Sequence, residues 1–600
     1  MSESLSVEML STIVLWLFLF SPPAPGAPTP PPSSLQGFKV LPQDSLKSFR
    51  LMSHKQDAHL EIIRVQGQPF QKVFRVKTHK KPAKIYHIQL NAKIPASIEK
   101  EDLLFLTFYV RGSRKERTSP EMEFVFERAG GSYKKSIRFP CPVSSSWEKM
   151  EIPFLAAERY NAGEAQINFR LGFDPQTVEI GGIDLINYKK SAALNELPMT
   201  RLTYLGREEQ ATWRQQALKR IDSIRKSTLH VLVEHPDGKT ISGAQVHVKM
   251  LRHAFGFGSA LNGRFFLSSH ESSNGKMYRQ IFLELFNKAV LENSMKWTFW
   301  KKGGKEQALQ AVQWLREHDI PVRGHTLLWP AWNHLPESLL PFKNNPAALR
   351  QQIREHVVEL VSTFRGQLVE WDVLNELYAN HDLTDILGLR SIVEWFHLAR
   401  QTDPTAQFYI NDYGVLNDTV DSRHLGQYKK TIQYLLDHQA PLDGIGVQGH
   451  FDWELTPPQQ LLQNLKPFVA FGKPIEITEF DVDITDEGLQ ADYLRDFMTA
   501  MFSHPAVHGI MLWGFWEGVH SSPRAALFRR DWTLRPCGKT WIDLVFNRWW
   551  TDERGATNEE GRFVTRGFLG NYELEITYQG ETKRIFTSLP KEGREIKVVF

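Results

Sequence analysis

Cysteine and excess charge are scarce in this sequence. Only two cysteines, Cys141 and Cys537, occur among 600 residues, so the chain has no disulfide framework, and we expect the two to lie in different domains. The 72 basic and 68 acidic side chains leave a formal net charge of +4. Because no basic run accompanies this balance, we expect no nucleic acid partner. The length predicts two or three domains.

Long hydrophobic runs are also lacking. The most apolar stretch, MLSTIVLWLFLF at 9–20, is shorter than the roughly 20 residues that cross a bilayer. Its length, and the small residues and prolines after it, predict a secretory signal peptide over 1–27 and a Pro-rich spacer over 28–36. We therefore expect a secreted protein, extracellular or periplasmic. The alternative is an uncleaved anchor, because the segment before the run carries Glu3 and Glu8 and no Lys or Arg.

Residues 37–190 show no helical periodicity. Short runs with period-2 stretches, among them LLFLTFYVRGS, EMEFVFERAG and EAQINFRLGF, are separated by Gly, Ser, Pro and Asn. Many short strands without an intervening helix predict an all-β sandwich of the jelly-roll kind. The closing run, VEIGGIDLINY, resembles the last strands of carbohydrate-binding modules of the families 4, 9 and 22 type. The alternative is a sandwich that binds nothing and only stabilises its neighbour.

Two shorter segments flank the largest domain. Within 191–251, the charged stretch REEQATWRQQALKRIDSIRKS predicts a connecting helix. LHVLVEHPDGKTISGAQVHVKML, in the same segment, predicts a β-hairpin that turns at Asp237-Gly238. Residues 551–600 return to β alternation and predict a small C-terminal β extension.

Residues 252–550 alternate between β-leaning and helical stretches. Apolar runs such as VEWDVL and IEITEF are separated by amphipathic stretches such as EQALQAVQWLREHD. Eight candidate strands in this segment predict an α/β fold, a (β/α)8 TIM barrel. A doubly wound open sheet is the alternative, but no Gly-rich nucleotide fingerprint follows the first strand.

Two of these runs bring carboxyl groups to strand ends. VEWDVLNE ends at Glu376, and IEITEFD contains Glu479 and Asp481. In a β/α barrel the carboxyl ends of the strands face the active site. A pair of carboxyls there is typical of glycosidic bond hydrolysis. Either glutamate alone is better explained as a structural ion pair, but two at corresponding strand ends favour catalysis.

The neighbours of each glutamate suggest different roles. We assign Glu376 as general acid/base and Glu479 as nucleophile. Asp481, two residues beyond Glu479, can orient His450, which can hydrogen-bond Glu479 and hold it ionised. Glu376 follows Trp371 and Leu374, where partial desolvation would raise its pKa towards that of an acid. For a retaining site we expect the two carboxyls about 5–5.5 Å apart.

The motifs of 252–550 resemble those of glycoside hydrolase family 10, the family of endo-β-1,4-xylanases. Seven of them follow the family's order: NKAVLENSMKW, RGHTLLW, WDVLNE, FYINDYG, GVQGH, ITEFD and LWGFWEG. The resemblance implies the β/α barrel and a retaining mechanism, with no cofactor; no metal motif is seen. The lead-in SGAQVHVKM…FGFGSAL and the tail RGFLGNYELEI are similar to the subgroup found in plants, molluscs and some bacteria.

The resemblance also implies a role for each matched residue. Glu376 and Glu479 are the implied catalytic pair, with Asp481 behind the nucleophile. The implied substrate-binding residues are Glu292, Asn293 and Lys296 at the distal glycone subsite, His325 and Trp329 at the scissile bond, Asn375 at the 2-hydroxyl, Gln448 and His450 near the nucleophile, Tyr413 on the aglycone side, and Trp513 and Trp516 as the aromatic floor.

Two motifs depart from the family pattern. The family usually has WHxQxP after the third strand, whereas this chain has WPAWNHLP at 329–336. After Trp513 the usual Thr-Asp is replaced by Phe515-Trp516-Glu517. Because the first of these loops borders the cleft, the substrate preference is open there.

We therefore predict a secreted, modular endo-β-1,4-xylanase that acts on plant cell-wall polysaccharide by double displacement. The nearest alternative is an endo-β-1,4-glucanase, or a β-glycanase of mixed specificity, on the same site. The alternative of another class is a non-catalytic polysaccharide-binding protein, which would be expected to lose one carboxyl. We expect no membrane partner unless the N-terminal segment is retained as an anchor.

Overall fold

The computed structural model describes residues 37–600 apart from 43–44, 55, 115–119, 174, 201–202, 269–271, 418–421 and 453–454. The predicted signal peptide and spacer lie outside these residues. The chain divides into two compact units, one up to Leu202 and one from Thr203 onward. Cys141 of the first and Cys537 of the second are both buried free thiols. Within the described ranges, every helix is too short or too polar to cross a membrane.

The first unit consists of two antiparallel sheets. Its strands in the described residues are β1 Phe38–Lys39, β2 Arg50–Met52, β3 Ala58–Arg64, β4 Lys72–Thr78, β5 Gln89–Lys93, β6 Leu103–Arg114, β7 Glu121–Arg128, β8 Lys135–Pro142, β9 Glu148–Leu155, β10 Ala165–Arg170 and β11 Gln176–Lys189. One sheet has the order β3-β4-β11-β6-β9, with β1 beside β11, and the other β2-β5-β10-β7-β8. Alternate side chains such as Leu106, Phe124 and Phe169 enter one shared core. The predicted all-β sandwich is confirmed.

The second unit contains a closed barrel of eight parallel strands. They are, in order, β14 Gly256–Leu261, β15 Lys288–Leu291, β16 Val322–Gly324, β17 Glu370–Asn375, β18 Gln407–Asp412, β19 Gly444–Phe451, β20 Ile475–Val482 and β21 Val507–Leu512. The predicted barrel is confirmed. The third strand is shorter than its apolar run predicts, although Leu327 and Leu328 beyond it still donate hydrogen bonds to carbonyls of β17.

Helices connect the barrel strands. The helices of the second unit in the described residues are Thr212–Arg225, Gly263–Ser268, Ser273–Leu285, Trp297–Phe299, Lys305–Glu317, Pro346–Thr363, Asp382–Leu387, Arg390–Thr402, Arg423–Asp437, Pro458–Val469, Glu487–Phe502 and Pro536–Ile542. Side chains of Ser272, Ser422 and Asp486 accept backbone hydrogen bonds at the start of three of them. These caps satisfy amide groups that have no partner inside the helix, and they fix where each helix begins.

Two further sheets combine strands from both ends of the second unit. These strands are β12 Lys226–Glu234, β13 Gln245–His253, β22 Asp552–Ala556, β23 Arg562–Phe568, β24 Gly570–Tyr578, β25 Glu581–Leu589 and β26 Arg594–Val599. Their orders are β23-β12-β26 and β22-β13-β24-β25. The predicted turn at Asp237-Gly238 forms, and Glu234 and Thr240 are bridged antiparallel across it. The hairpin does not continue beyond this bridge, because β12 and β13 lie in different sheets. A turn signal reports the local reversal of the chain, whereas the partners of these strands lie more than three hundred residues away.

Candidate active site

The two glutamates lie at the same end of the barrel. Glu376 directly follows β17, the fourth barrel strand, and Glu479 lies near the end of β20, the seventh. Glu376 has a φ of 54°, a left-handed conformation that is uncommon outside glycine. Backbone strain of this kind is concentrated at functional sites, where the surrounding structure enforces it.

Glu479 is held as a carboxylate. Asn411 Nδ2 donates to its Oε1 at 2.9 Å, and His450 Nε2 lies 3.1 Å from its Oε2. Burial opposes ionisation, but the hydrogen bond from His450 and nearby positive charges, including Lys296, lower the pKa of Glu479 to about 2. The side chain is therefore an anion throughout the neutral range and is available as a nucleophile.

Asp481 keeps the imidazole of His450 positively charged. Its Nδ1 atom lies 2.9 Å from Asp481 Oδ1, while its Nε2 atom faces Glu479. Burial disfavours the imidazolium, yet the negative charge of Asp481 and hydrogen bonds to both carboxylates raise the pKa of His450 to about 10. With both ring nitrogens protonated, His450 donates to both carboxylates.

Glu376 has the opposite electrostatic environment. Gln448 Nε2 donates to its Oε1 at 2.9 Å, and Asn380 Nδ2 lies 3.3 Å from its Oε2. Burial raises the pKa of Glu376, and the negative charge of Glu479 raises it further. Trp371 is not the source of this desolvation: its ring packs against Phe364. The two carboxyls thus differ in proton affinity in the sense that an acid and a nucleophile require.

Asn411, which the sequence analysis did not single out, connects three site residues. Its Nδ2 donates to Asn375 Oδ1 at 2.9 Å as well as to Glu479, and Thr478 Oγ1 donates to its Oδ1 at 2.7 Å. Asn411 lies in the motif FYINDYG at the end of β18, so its strand-end position was a visible signal. Its effect is to orient Asn375 and the nucleophile relative to each other.

The glycone candidates gather around an ammonium group. Lys296 Nζ donates to Asn293 Oδ1 at 3.0 Å and lies 5.2 Å and 5.7 Å from the ring centres of Trp329 and Trp513. Burial lowers the pKa of Lys296, and burial also raises the pKa of Glu292. A cation between two aromatic faces is stabilised by both rings and still presents donors to a ligand.

His325 and Trp329 lie next to the residues around Lys296. His325 Nδ1 lies 2.9 Å from Asp372 Oδ2, and its ring meets Trp513 edge-to-face at 5.3 Å. His334, from the atypical WPAWNHLP loop, stacks on Trp329 with ring centres 3.5 Å apart and an interplanar angle of 8°. The departure from the family pattern therefore places an imidazole over the face of Trp329, which is predicted to line the substrate site.

Trp516 does not form part of an open aromatic floor. It is only 4 % exposed, and its ring is covered by Trp532, which stacks on it at 4.5 Å and 1°. Trp513 does line the cleft. Motif matching identified Trp516 by its position in LWGFWEG but could not show that a residue 16 positions later in the sequence covers it.

An open cleft of about 760 Å³ borders Glu376 and the His450–Asp481 pair behind Glu479. Its walls include Glu376, Tyr413, Gln448, His450 and Trp513. A cavity of about 980 Å³ lies at the other end of the barrel, around the beginnings of the strands. The larger cavity is remote from the paired glutamates, so the smaller cleft is the candidate active site.

Buried charges fill the barrel beneath the glutamates. Arg323 pairs with Asp372, and its Nη1 lies 2.7 Å from Glu370 and 3.3 Å from Glu476. Lys288 Nζ lies 2.6 Å and 2.7 Å from the same two glutamates. Through Asp372, this network also holds the imidazole of His325, so it supports the site from below.

Comparison with known proteins agrees with this geometry. A family model described as "Glycosyl hydrolase family 10" matches residues 249–541. This part of the chain belongs to glycosyl hydrolase family 10. The match covers the whole barrel from β14 to β21, so the family 10 domain contains both glutamates and every strand that positions them.

Named relatives and a solved structure cover the family 10 domain. The chain is 33% identical over 384 residues to anti-sigma-I factor RsgI6 of Acetivibrio thermocellus, covering 62% of this chain and 48% of that protein. It is 29% identical over 450 residues to endo-1,4-beta-xylanase 1 of Arabidopsis thaliana, covering 71% and 45%. The chain thus spans about half the length of these curated relatives. A crystal structure of native xylanase 10B from Thermotoga maritima aligns with TM-score 0.45 and 26% identity, over 49% of this chain and 96% of that one.

Proposed function

We propose that the family 10 domain is an endo-β-1,4-xylanase that hydrolyses internal bonds of xylan with retention of configuration. One observation carries the proposal: Glu479 is held ionised by the His450–Asp481 pair, while burial favours the protonated form of Glu376. A nucleophile and an acid at facing strand ends are what double displacement requires. The relatives named as xylanases support xylan as the substrate.

In the first step, Glu479 attacks the anomeric carbon while Glu376 gives its proton to the glycosidic oxygen. The C–O bond to the leaving sugar breaks, and a glycosyl ester forms on Glu479. Asn411, which donates to Glu479, keeps one carboxylate oxygen in place while the other reacts.

In the second step, Glu376, now an anion, takes a proton from water. The water oxygen attacks the anomeric carbon, and Glu479 leaves as a carboxylate. Gln448, which donates to Glu376 at 2.9 Å, holds this side chain through both steps. The two inversions restore the original configuration.

A β-1,4-glucanase on the same site is the second candidate. The stacking of His334 on Trp329 favours it, because this loop differs from the family pattern where the glycone sugar is recognised. A non-catalytic polysaccharide-binding protein is the alternative of another class. The presence of both carboxyls, with their opposed proton affinities, supports hydrolysis over it.

The deciding experiment measures reducing-sugar release from xylan, carboxymethyl-cellulose and mixed-linkage β-glucan in parallel. Glu479→Ala serves as the blank, and Glu592→Ala, at an exposed position, is the matched control. Release mainly from xylan that disappears in the blank supports the proposal. Release mainly from the glucans moves the function to the second candidate. Retention of xylan without any release supports the non-catalytic alternative.

For the first unit we propose a carbohydrate-binding role beside the enzyme. The side of the sheet containing β5, β7 and β10 that faces away from the shared core supports it. Asn91 is partly exposed there, and Glu127, Gln166 and Asn168 lie buried behind it. Asn91 Nδ2 donates to Gln166 Oε1 at 3.1 Å and to Asn168 Oδ1 at 2.7 Å, and both partners donate to Glu127 Oε1. Amides and carboxylates in a row are the groups that hydrogen-bond sugar hydroxyls. The test is retardation of Glu479→Ala in native gels containing xylan, which Asn91→Ala should weaken.

We also propose that the protein is secreted, on the support of the apolar run at 9–20 and the prolines after it. N-terminal sequencing of protein recovered from the medium tests this. A mature N-terminus near residue 28 is expected, and a full-length chain in the membrane fraction would favour the anchor alternative.

A further inference from the structure

Trp532 has an unusual backbone conformation. Its φ is 68°, in the left-handed region where a bulky side chain is an outlier. Two hydrogen bonds enforce this turn: Trp532 N donates to Arg529 O at 2.9 Å, and Arg529 N donates to Thr533 O at 2.9 Å. Backbone strain is concentrated at functional sites, so a strained aromatic residue at the active-site end of the barrel is a candidate for ligand contact.

The ring of Trp532 is held by contacts from two segments, one after the first barrel strand and one after the last. It stacks on Trp516 at 4.5 Å and 1°, and its Nε1 donates to Asn274 Oδ1 at 2.9 Å. The loop that carries both tryptophans follows β21, whereas Asn274 lies in the first turn of the helix Ser273–Leu285, the second helix after β14. Trp516 is buried but Trp532 is partly exposed. Trp532 is thus a rigid ring that is open to solvent.

A continuous series of contacts leads from this ring to the glycone end of the cleft. Trp516 packs against Phe265 with ring centres 5.2 Å apart. Phe265 N donates to Asn262 Oδ1 at 3.0 Å, and Asn262 Nδ2 donates to Glu292 Oε2 at 3.1 Å. This series connects Trp532 to Glu292, a residue that the family resemblance places at the distal glycone subsite.

We propose that Trp532 forms a remote glycone subsite, on which one neutral sugar ring of the polysaccharide stacks. The inference rests on the proposed function and extends it. A flat apolar ring with its own nitrogen already bonded presents mainly a stacking surface, which matches the C–H face of a pyranose. A remote subsite of this kind gives long chains binding energy that can be used at the reacting centre. It would make the domain prefer polymers over short oligosaccharides.

The test compares Trp532→Ala with the wild-type chain on long and short substrates. Substrates are xylohexaose and cellohexaose, and aryl glycosides of xylobiose and cellobiose, which reach only the subsites next to Glu376. On whichever hexaose the wild-type chain hydrolyses, we expect kcat/KM to fall about 3- to 10-fold in Trp532→Ala, the range for one lost aromatic stack. We expect the aryl glycosides to be unaffected. Trp314→Ala, a partly exposed tryptophan on the outer helix Lys305–Glu317, is the matched control.

Folding is checked separately, because Trp532 also supports Trp516. Trp532→Phe keeps a ring at this position and should retain most of the hexaose preference even if Trp532→Ala lowers the melting temperature. Equal loss on hexaoses and aryl glycosides, or equal loss in Trp314→Ala, would overturn the inference and leave Trp532 as packing for the loop.

Binding by calorimetry in a Glu479→Gln background separates the inference from the proposed function. If the wild-type chain releases no sugar but the hexaose binds several-fold more weakly when Trp532→Ala is added, the hydrolase proposal fails and the subsite stands. If the wild-type chain is active and neither hexaose kinetics nor binding changes, the subsite fails and the hydrolase stands.

Discussion

The Nε2 atom of His450 lies 3.1 Å from Oε2 of Glu479, and this contact sets the protonation state of the proposed nucleophile. The imidazole is cationic because Asp481 holds its other nitrogen. Asp481 takes no part in the proposed reaction, yet through His450 its charge controls the protonation state of Glu479. The contact makes the pH dependence of activity a direct readout of the site.

Asp481→Asn should lower the pH at which His450 loses its proton. Without the charge of Asp481, the pKa of His450 falls from about 10 towards the ordinary histidine value of about 6.5. At acidic pH His450 stays cationic in both proteins, so Glu479 stays ionised and the acidic limb of kcat/KM should not move to higher pH. The measurement is an NMR titration of the His450 imidazole in each protein, with Asp543→Asn as the partly exposed control. An unchanged His450 titration in Asp481→Asn would contradict the assignment.

The same histidine predicts a pH dependence of stability. Its pKa is raised in the folded state, so the folded chain binds this proton more tightly than the unfolded chain. The stabilisation is complete below the unfolded pKa of about 6.5 and is lost as pH rises towards about 10. Urea midpoints of the wild-type chain should fall across this window. His450→Gln should show a flatter dependence there, and parallel curves would refute the predicted linkage.

Glu376→Ala should be rescued by azide. The variant lacks the proton donor, so turnover of polysaccharide should fall roughly 10²- to 10⁴-fold. Aryl glycosides with good leaving groups need no proton in the first step and should still form the glycosyl ester. Azide can then replace water and yield a glycosyl azide of retained configuration. In Glu479→Ala, azide would take the place of the nucleophile and give the opposite anomer. Absence of rescue in Glu376→Ala would show that the two roles are wrongly assigned.

Arg323→Leu should destabilise the barrel strongly. It would leave Asp372, Glu370 and Glu476 buried with only Lys288 as counter-charge. Removing one partner from a buried ion-pair network costs about 3–5 kcal/mol of unfolding free energy. Arg548→Leu removes an exposed pair with Asp543 and should cost about 0–1 kcal/mol. Chemical denaturation of the two variants measures the difference, and equal effects would mean that the interior network contributes no more than a surface pair.

The barrel was predictable because its strands differ from the helices in hydrophobic period. The predicted run IEITEF begins with β20 at Ile475, and VEWDVL differs from β17 by one residue at each end. The interior charges were less visible. Glu370 is the first residue of β17 and Glu476 the second of β20. A sequence pattern does not show whether a charge at the start of a strand points into the barrel or into solvent. Their pairing with Arg323 and Lys288, both distant in sequence, makes their burial tolerable.

The site was predictable where motifs lie at strand ends, and not where it depends on loops. Glu376, Gln448, His450 and Glu479 all lie where the strand pattern places them. The covering of Trp516 by Trp532 depends on the fold of a long loop. Hydrophobic periodicity carries no information about such a loop, so neither the burial of one ring nor the exposure of the other followed from the sequence.

The sheets that join β12 and β13 to the last strands have a consequence for biosynthesis. β12 is flanked by β23 and β26, and β13 by β22 and β24. Until β22 to β26 (552–599) have been synthesised, both strands have unpaired edges, which can pair with other nascent chains. A barrel truncated after β21 would keep its catalytic residues and still expose these edges. β22 to β26 therefore complete the fold of the domain, and any shortened chain made for expression should include them.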